Sequence, residues 1–299
     1  MRESLHVKKL TSPLATMLLV LLWALDAQTA AKAPALDAAA DERRAKAQVL
    51  ADQASDLFDK SQYDAALARL DEALEITPRS GSMWTAKGWV LFYGARMEEA
   101  LEHFEKALSL NPTLVQAYKG QGMCLFALER YDESVASFDK ALAILPRQEI
   151  LWRLRGMSLQ YGGRVGEALT SFERALALTP ESAENWKLKG ISLFSLGRYD
   201  EAIAAFDKAL EIDPTLEDAW MSKGSCLVKL GRDEEALRIY DTALKLNPLS
   251  APILYNKGVT LAELGQTTEA RRLLRKLLAI HPDYQPAQDA LKRLAQSSD

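Results

Sequence analysis

The sequence predicts an all-α solenoid of seven helix–turn–helix units closed by a capping helix. Three observations predict it. Pro78, Pro112, Pro146, Pro180, Pro214, Pro248 and Pro282 recur every 34 residues, and a fixed period of that size marks stacked copies of one supersecondary unit. Between the prolines, apolar positions fall at i, i+4, i+7 and i+8, the spacing of one helix face. A glycine stands ten residues after each of the first six prolines, at Gly88, Gly122, Gly156, Gly190, Gly224 and Gly258.

In chain order, the first element is of a different kind. Arg2, Lys8 and Lys9 precede an uncharged stretch, Leu10 to Leu25, that is interrupted by Pro13. This is short for a membrane span of ~20 apolar residues. With small residues Ala27, Ala30 and Ala31 after it, it reads as a signal peptide over residues 1–27, with an uncleaved anchor as the alternative. The expected location is therefore periplasmic or secreted, with membrane attachment only if the segment is retained. Residues 28–46 read as an Ala-rich tether and a helix start at Asp41-Glu42. The seven units occupy 47–284. Residues 285–299, with Ala287, Ala290, Leu291 and Leu294, form an amphipathic capping helix and tail.

Within a unit, the first helix carries a large residue four before the glycine (Trp84, Tyr118, Trp152, Trp186, Trp220, Leu254). It also carries a leucine three after it, such as Leu91 and Leu125. Turns such as Leu196-Gly197-Arg198-Tyr199, with counterparts at Gly163, Gly231 and Gly265, suit a left-handed helix C-cap. The second helix carries Ala100, Ser134, Ala168, Ala202 and Ala236, then Phe104, Phe138, Phe172, Phe206 and Tyr240. It ends before the proline, which lacks an N–H and clashes with the preceding turn. A recurrent mid-helix glycine costs about 1 kcal/mol against alanine, so it predicts close helix–helix approach with a large ring filling the space. The first unit is imperfect, with Leu50 and Ala54 where the large residue and glycine belong.

These columns resemble the tetratricopeptide repeat, W-x2-L-G-x2-Y, A-x3-F, A, P, over residues 47 to 284. Two departures recur. The slot before the glycine is Lys87, Gln121, Arg155, Lys189, Lys223 or Lys257, and the slot three after it is leucine. The resemblance implies a right-handed superhelix whose first helices line a concave groove that takes extended peptides or helices.

Composition narrows the chemistry. Net charge is −4, and removing residues 1–27 leaves 34 basic and 39 acidic groups, or −5, so nucleic acid is not an expected partner. Cys124 and Cys226 share one column three repeats apart, too far for a disulfide, and read as small buried residues. His6, His103 and His281 lie apart and do not converge on a metal. No phosphate loop, nucleophile elbow or zinc-protease motif occurs. No enzyme activity, catalytic residue, metal or cofactor is expected.

Under the resemblance, the groove columns flank the glycine. They hold Trp89, Phe92, Tyr93, Met123, Phe126, Met157, Tyr161 and Phe194, with Lys119, Arg153 and Lys187 running beside them. Trp89 stands out, because the family often has a small polar residue there. Phe58, Phe92, Phe126 and Phe194 also read as packing between adjacent first helices. The heat-shock co-chaperone clamp needs an asparagine in the Trp89 column, and none is present. The expected function is an exported, non-catalytic scaffold that binds a partner protein's peptide or helix in the groove. The alternatives are a self-associating homo-oligomeric module and an accessory subunit of an envelope or secretion enzyme complex.

Overall fold

The computed structural model describes residues 38–296. The signal segment and most of the tether lie outside the described residues. The described residues form fifteen α-helices and no strand. The helices divide into two compact units, one ending at Gly163 and one beginning at Arg164. That boundary is a turn inside the fourth repeat, where the repeat register predicts none.

The first unit holds α1 (Ala38–Asp59), α2 (Tyr63–Ile76), α3 (Gly81–Tyr93), α4 (Met97–Leu110), α5 (Val115–Ala127), α6 (Tyr131–Ile144) and α7 (Glu149–Tyr161). α1/α2, α3/α4 and α5/α6 are hairpins, and each second helix also packs on the first helix of the next repeat. The first helices α3, α5 and α7 are successive neighbours.

The second unit repeats the scheme with α8 (Val165–Leu178), α9 (Ala183–Ser195), α10 (Tyr199–Ile212), α11 (Glu217–Lys229), α12 (Asp233–Leu246), α13 (Ala251–Glu263) and α14 (Thr267–Ile280). The last helix, α15 (Gln285–Gln296), buries Ala287 and Ala290 against a cluster containing Leu254, Leu274 and Leu277. Its half-buried Leu291 and Leu294 pack on the same cluster.

The turns explain the hairpins. After α3, Ala95 takes φ 59°, and Arg96 N–H then donates to the Leu91 carbonyl at 2.9 Å. This satisfies a carbonyl that the helix end leaves free. Gly163, Gly197, Gly231 and Gly265 occupy the same position with φ 70–78°. In the earlier turns, Ser61, Ala95 and Glu129 do so at φ 58–60°, a conformation that side chains disfavour. Second helices end at the proline column. Asn111 and Asp213 accept the amides of Thr113 and Thr215, each at 2.9 Å, in Asx turns.

The glycine column is steric, as its spacing suggests. A Cβ on Gly88 would stand 2.7 Å from Phe104, and one on Gly122 would stand 2.8 Å from Phe138. Gly190 faces Phe206 in the same way at 2.6 Å. These rings are buried, and each contributes about 2–3 kcal/mol by leaving water. Ser134 sits in an otherwise mostly alanine column. Its hydroxyl donates to the Gly122 carbonyl at 2.7 Å and lies 2.8 Å from the Ser158 hydroxyl, tying α6 to α5 and α7.

The basic residues before the glycines have a clear partner. Lys87 meets Asp71, Arg155 Asp139, Lys189 Glu173, Lys223 Asp207 and Lys257 Asp241, each 16 residues earlier on the preceding second helix. The distances run from 2.5 to 3.1 Å. Lys87, Arg155 and Lys189 also lie 5.5–5.9 Å from the ring centres of Trp84, Trp152 and Trp186.

Candidate functional site

Of the expected groove residues, Lys187 and Phe194 belong to the second unit and the rest to the first. In the second unit, Lys187 is paired with Glu184 at 2.7 Å, and Phe194 is half-buried with an edge contact to Tyr199.

In the first unit, the structure corrects the picture of an open aromatic wall. Trp89 is only 4% exposed and Phe92 is fully buried. Trp89 packs edge-on against Phe92 and Phe104 at 5.6 and 5.4 Å and leans on Tyr93. A large ring one residue past the glycine stays inside, because removing 150–250 Å² of aromatic surface from water outweighs leaving it on the wall. Met123 and Phe126 are likewise buried, and Tyr93 and Met157 half-buried. Tyr161 is the exposed member at 49%, stacked on Tyr131 and edge-on to Phe126.

Two features stand out on these first helices. The first joins α3 to α5. The Lys119 ammonium lies 5.2 Å from the centre of the Trp89 ring, a cation–π contact. Burial holds Lys119 down at about 8, well below the usual lysine range. Among the described residues, no carboxylate pairs with it. The buried Trp89 Nε1 and the Gln116 amide oxygen, one turn before Lys119, also lack hydrogen-bond partners. Arg153, in the same column one repeat on, differs: its Nε is 3.5 Å from a Glu149 carboxylate oxygen.

The second feature is a shallow cleft between α5 and α7, whose free space of about 10 Å³ holds no more than about one water. Met123, Phe126, Leu154 and Met157 line it, with Phe138 of α6 and Ser158. The Ser158 hydroxyl is already bonded to the Leu154 carbonyl at 3.1 Å and to Ser134, so the cleft is apolar in effect. Sequence reasoning missed Gln116, Phe138, Leu154 and Ser158. Only the stacking of adjacent repeats brings them to the groove columns.

Reactive chemistry is scarce among the described residues. Burial pushes the thiols of Cys124 and Cys226 up to about 12, which keeps them inert. No group of three metal-ligating side chains gathers there, and no helix is long and apolar enough to cross a membrane. His103 rests beside Trp84, its Nδ1 2.7 Å from the Glu99 carbonyl.

A tetratricopeptide-repeat family model matches residues 51–115, 85–149 and 153–217, and a second matches 193–249 and 227–295. The chain belongs to the tetratricopeptide-repeat family. Among curated proteins, none matches it. Solved structures do. YrrB, a TPR protein with an unusual peptide-binding site, is 27% identical, with a TM-score of 0.56 over 63% of this chain and 97% of its own. A tetratricopeptide protein from Parabacteroides merdae reaches a TM-score of 0.63 at 16% identity, over 84% and 99% of the two chains. MamA from Desulfovibrio magneticus scores 0.54 at 18% identity, over 57% and 97%. The last two speak for the fold alone. As a tetratricopeptide-repeat protein, this chain is a protein-binding scaffold in its general character.

Proposed function

We propose that this tetratricopeptide-repeat chain is an exported, non-catalytic adaptor that holds a segment of a partner protein against α3, α5 and α7. The observation that carries the reading is Lys119, a half-buried cation that lies on Trp89 and has no carboxylate partner among the described residues. A charge that is costly to bury and left unpaired on the first helices favours a ligand that completes it. The unusual peptide-binding site of YrrB supports the same use of the fold. Export rests on the sequence of residues 1–27.

Two measurements test this. A photo-crosslinking residue replaces Met157 in the groove or, as a control, the exposed Leu145 at the end of α6. A discrete partner adduct from position 157 and none from 145 supports the adaptor. Adducts from both or from neither contradict it. A periplasmic reporter enzyme fused after residue 40 is active if the segment exports the chain, and inactivity removes the export half of the reading.

A further inference from the structure

We infer that the carboxy-terminal end of the second unit docks on an anionic lipid surface. Cations on α14 and α15 meet the headgroups, and the turn after α12 sets Leu246 and Leu249 into the interface. This goes beyond the adaptor reading and does not depend on it.

The second helices show a reversal of charge. α2, α4, α6, α8, α10 and α12 each carry more acids than bases. α14 carries Glu269 against Arg271, Arg272, Arg275 and Lys276, a net charge of +3. Arg271 is used inside the fold, where its guanidinium donates to the Leu294 carbonyl. Arg272, Arg275 and Lys276 are exposed and keep the i, i+3, i+4 spacing of one helix face.

Arg275 also inverts a column. One repeat earlier its place is taken by Asp241, which binds Lys257 on the next helix, 16 residues on. The same step from Arg275 ends at Leu291, half-buried in the capping cluster. The last repeat keeps neither member of that ion pair, and no carboxylate among the described residues pairs with Arg275 or Lys276. The step also brings α15 alongside, so the exposed Lys292 and Arg293 stand close to the same seam. Glu269 and Asp289 lie 3.6 Å from Arg272 and Lys292. Exposed pairs of this kind are weak, and a lipid phosphate can replace the carboxylate.

The apolar part is braced. Leu246 and Leu249 are each 57% exposed, the highest among the large apolar side chains of the described residues. Their turn is held by Glu217, whose carboxylate accepts from Asn247 Nδ2 and from the Ser250 hydroxyl, both at 2.7 Å. Leu246 closes α12 as Ile280 closes α14, so Lys245 and Lys276 stand near the same edge. An exposed apolar pair fixed beside cations marks an interaction surface. A bilayer takes both parts, the leucines at the acyl boundary and the cations at anionic headgroups. A water-soluble polyanion would use the cations alone, which is why the leucines favour lipid.

The test is vesicle flotation with the chain from residue 28 onward, so that the apolar amino-terminal segment contributes nothing. One vesicle contains phosphatidylglycerol and phosphatidylethanolamine, the other phosphatidylcholine alone. The chain is expected to float with the first and not the second, and to be released by high salt. Arg272→Glu with Arg275→Glu is expected to weaken binding at least about tenfold, and Leu246→Ser with Leu249→Ser several-fold. Lys106→Glu, in the Lys276 column but on acidic α4, is expected to bind as the unaltered chain does. Absence of flotation, equal flotation with both vesicles, or unchanged flotation of either double variant overturns the inference. Binding to heparin or duplex DNA through Arg272 and Arg275 without vesicle binding overturns the lipid assignment. Crosslinking at position 157 reads the adaptor separately, so the two readings fail independently.

Discussion

The indole nitrogen of Trp84 donates to the carbonyl of Pro78 at 3.0 Å. The bond recurs from Trp152 to Pro146, Trp186 to Pro180 and Trp220 to Pro214, at 2.8–2.9 Å. In the last helix, Gln288 takes the place of tryptophan and donates to Pro282 at 2.8 Å. The aromatic column and the proline column are thus two ends of one bond. It ties α3, α7, α9 and α11 to the turns that begin their repeats.

Trp84→Phe keeps the ring and removes the donor. The expected loss is about 1 kcal/mol of stability. Trp152→Phe should cost about the same, and the double variant should show the sum, since these distant bonds share no partner. Urea unfolding of the three variants checks it.

Gly88→Ala drives a methyl into Phe104, 2.7 Å away. The expected cost is about 2–3 kcal/mol. Phe104→Leu on the same chain should recover part of it, whereas two unrelated defects would add. A double-mutant cycle in urea decides between these outcomes.

Ala95→Gly and Glu129→Gly relieve side chains held at φ 59° and 60°. Each should raise stability by about 0.5–1 kcal/mol. Gly197→Ala at φ 74° should lower it by a similar amount. Thermal melts would show Tm shifts of about 1–3 °C in those directions.

These pairings show what the sequence makes legible. The 34-residue register carries the helices, the Gly88–Phe104 fit and the helix-ending prolines, because each depends on local spacing within one unit. It conceals whatever depends on how units stack. The 16-residue pairing of Lys87 with Asp71 joins neighbouring repeats, and no helical spacing reveals it. Trp89 reads as a groove residue by column, but the rings of Phe92, Phe104 and Tyr93 enclose it. The left-handed turns at Ser61, Ala95 and Glu129 are hidden because no glycine marks them.

Lys119 gives a pH signature. Burial lowers its folded value to about 8, below the usual 10.4 of an unfolded chain. Between those values the unfolded state holds more protons, so this lysine's contribution makes stability rise with pH across that window. Its full penalty, about 3 kcal/mol, is present below pH 8. Lys119→Met should therefore be more stable than the unaltered chain at pH 7, with the gap closing near pH 10. Denaturant titrations at both pH values measure it, and a gap independent of pH would contradict the assignment.

Whether the first helices of the first unit hold the partner is tested most directly by amide hydrogen exchange, with and without the partner identified by crosslinking. Exchange should slow in α3, α5 and α7, with α4 and α6 unchanged on binding. Protection confined to the second helices, or to the second unit, would contradict it.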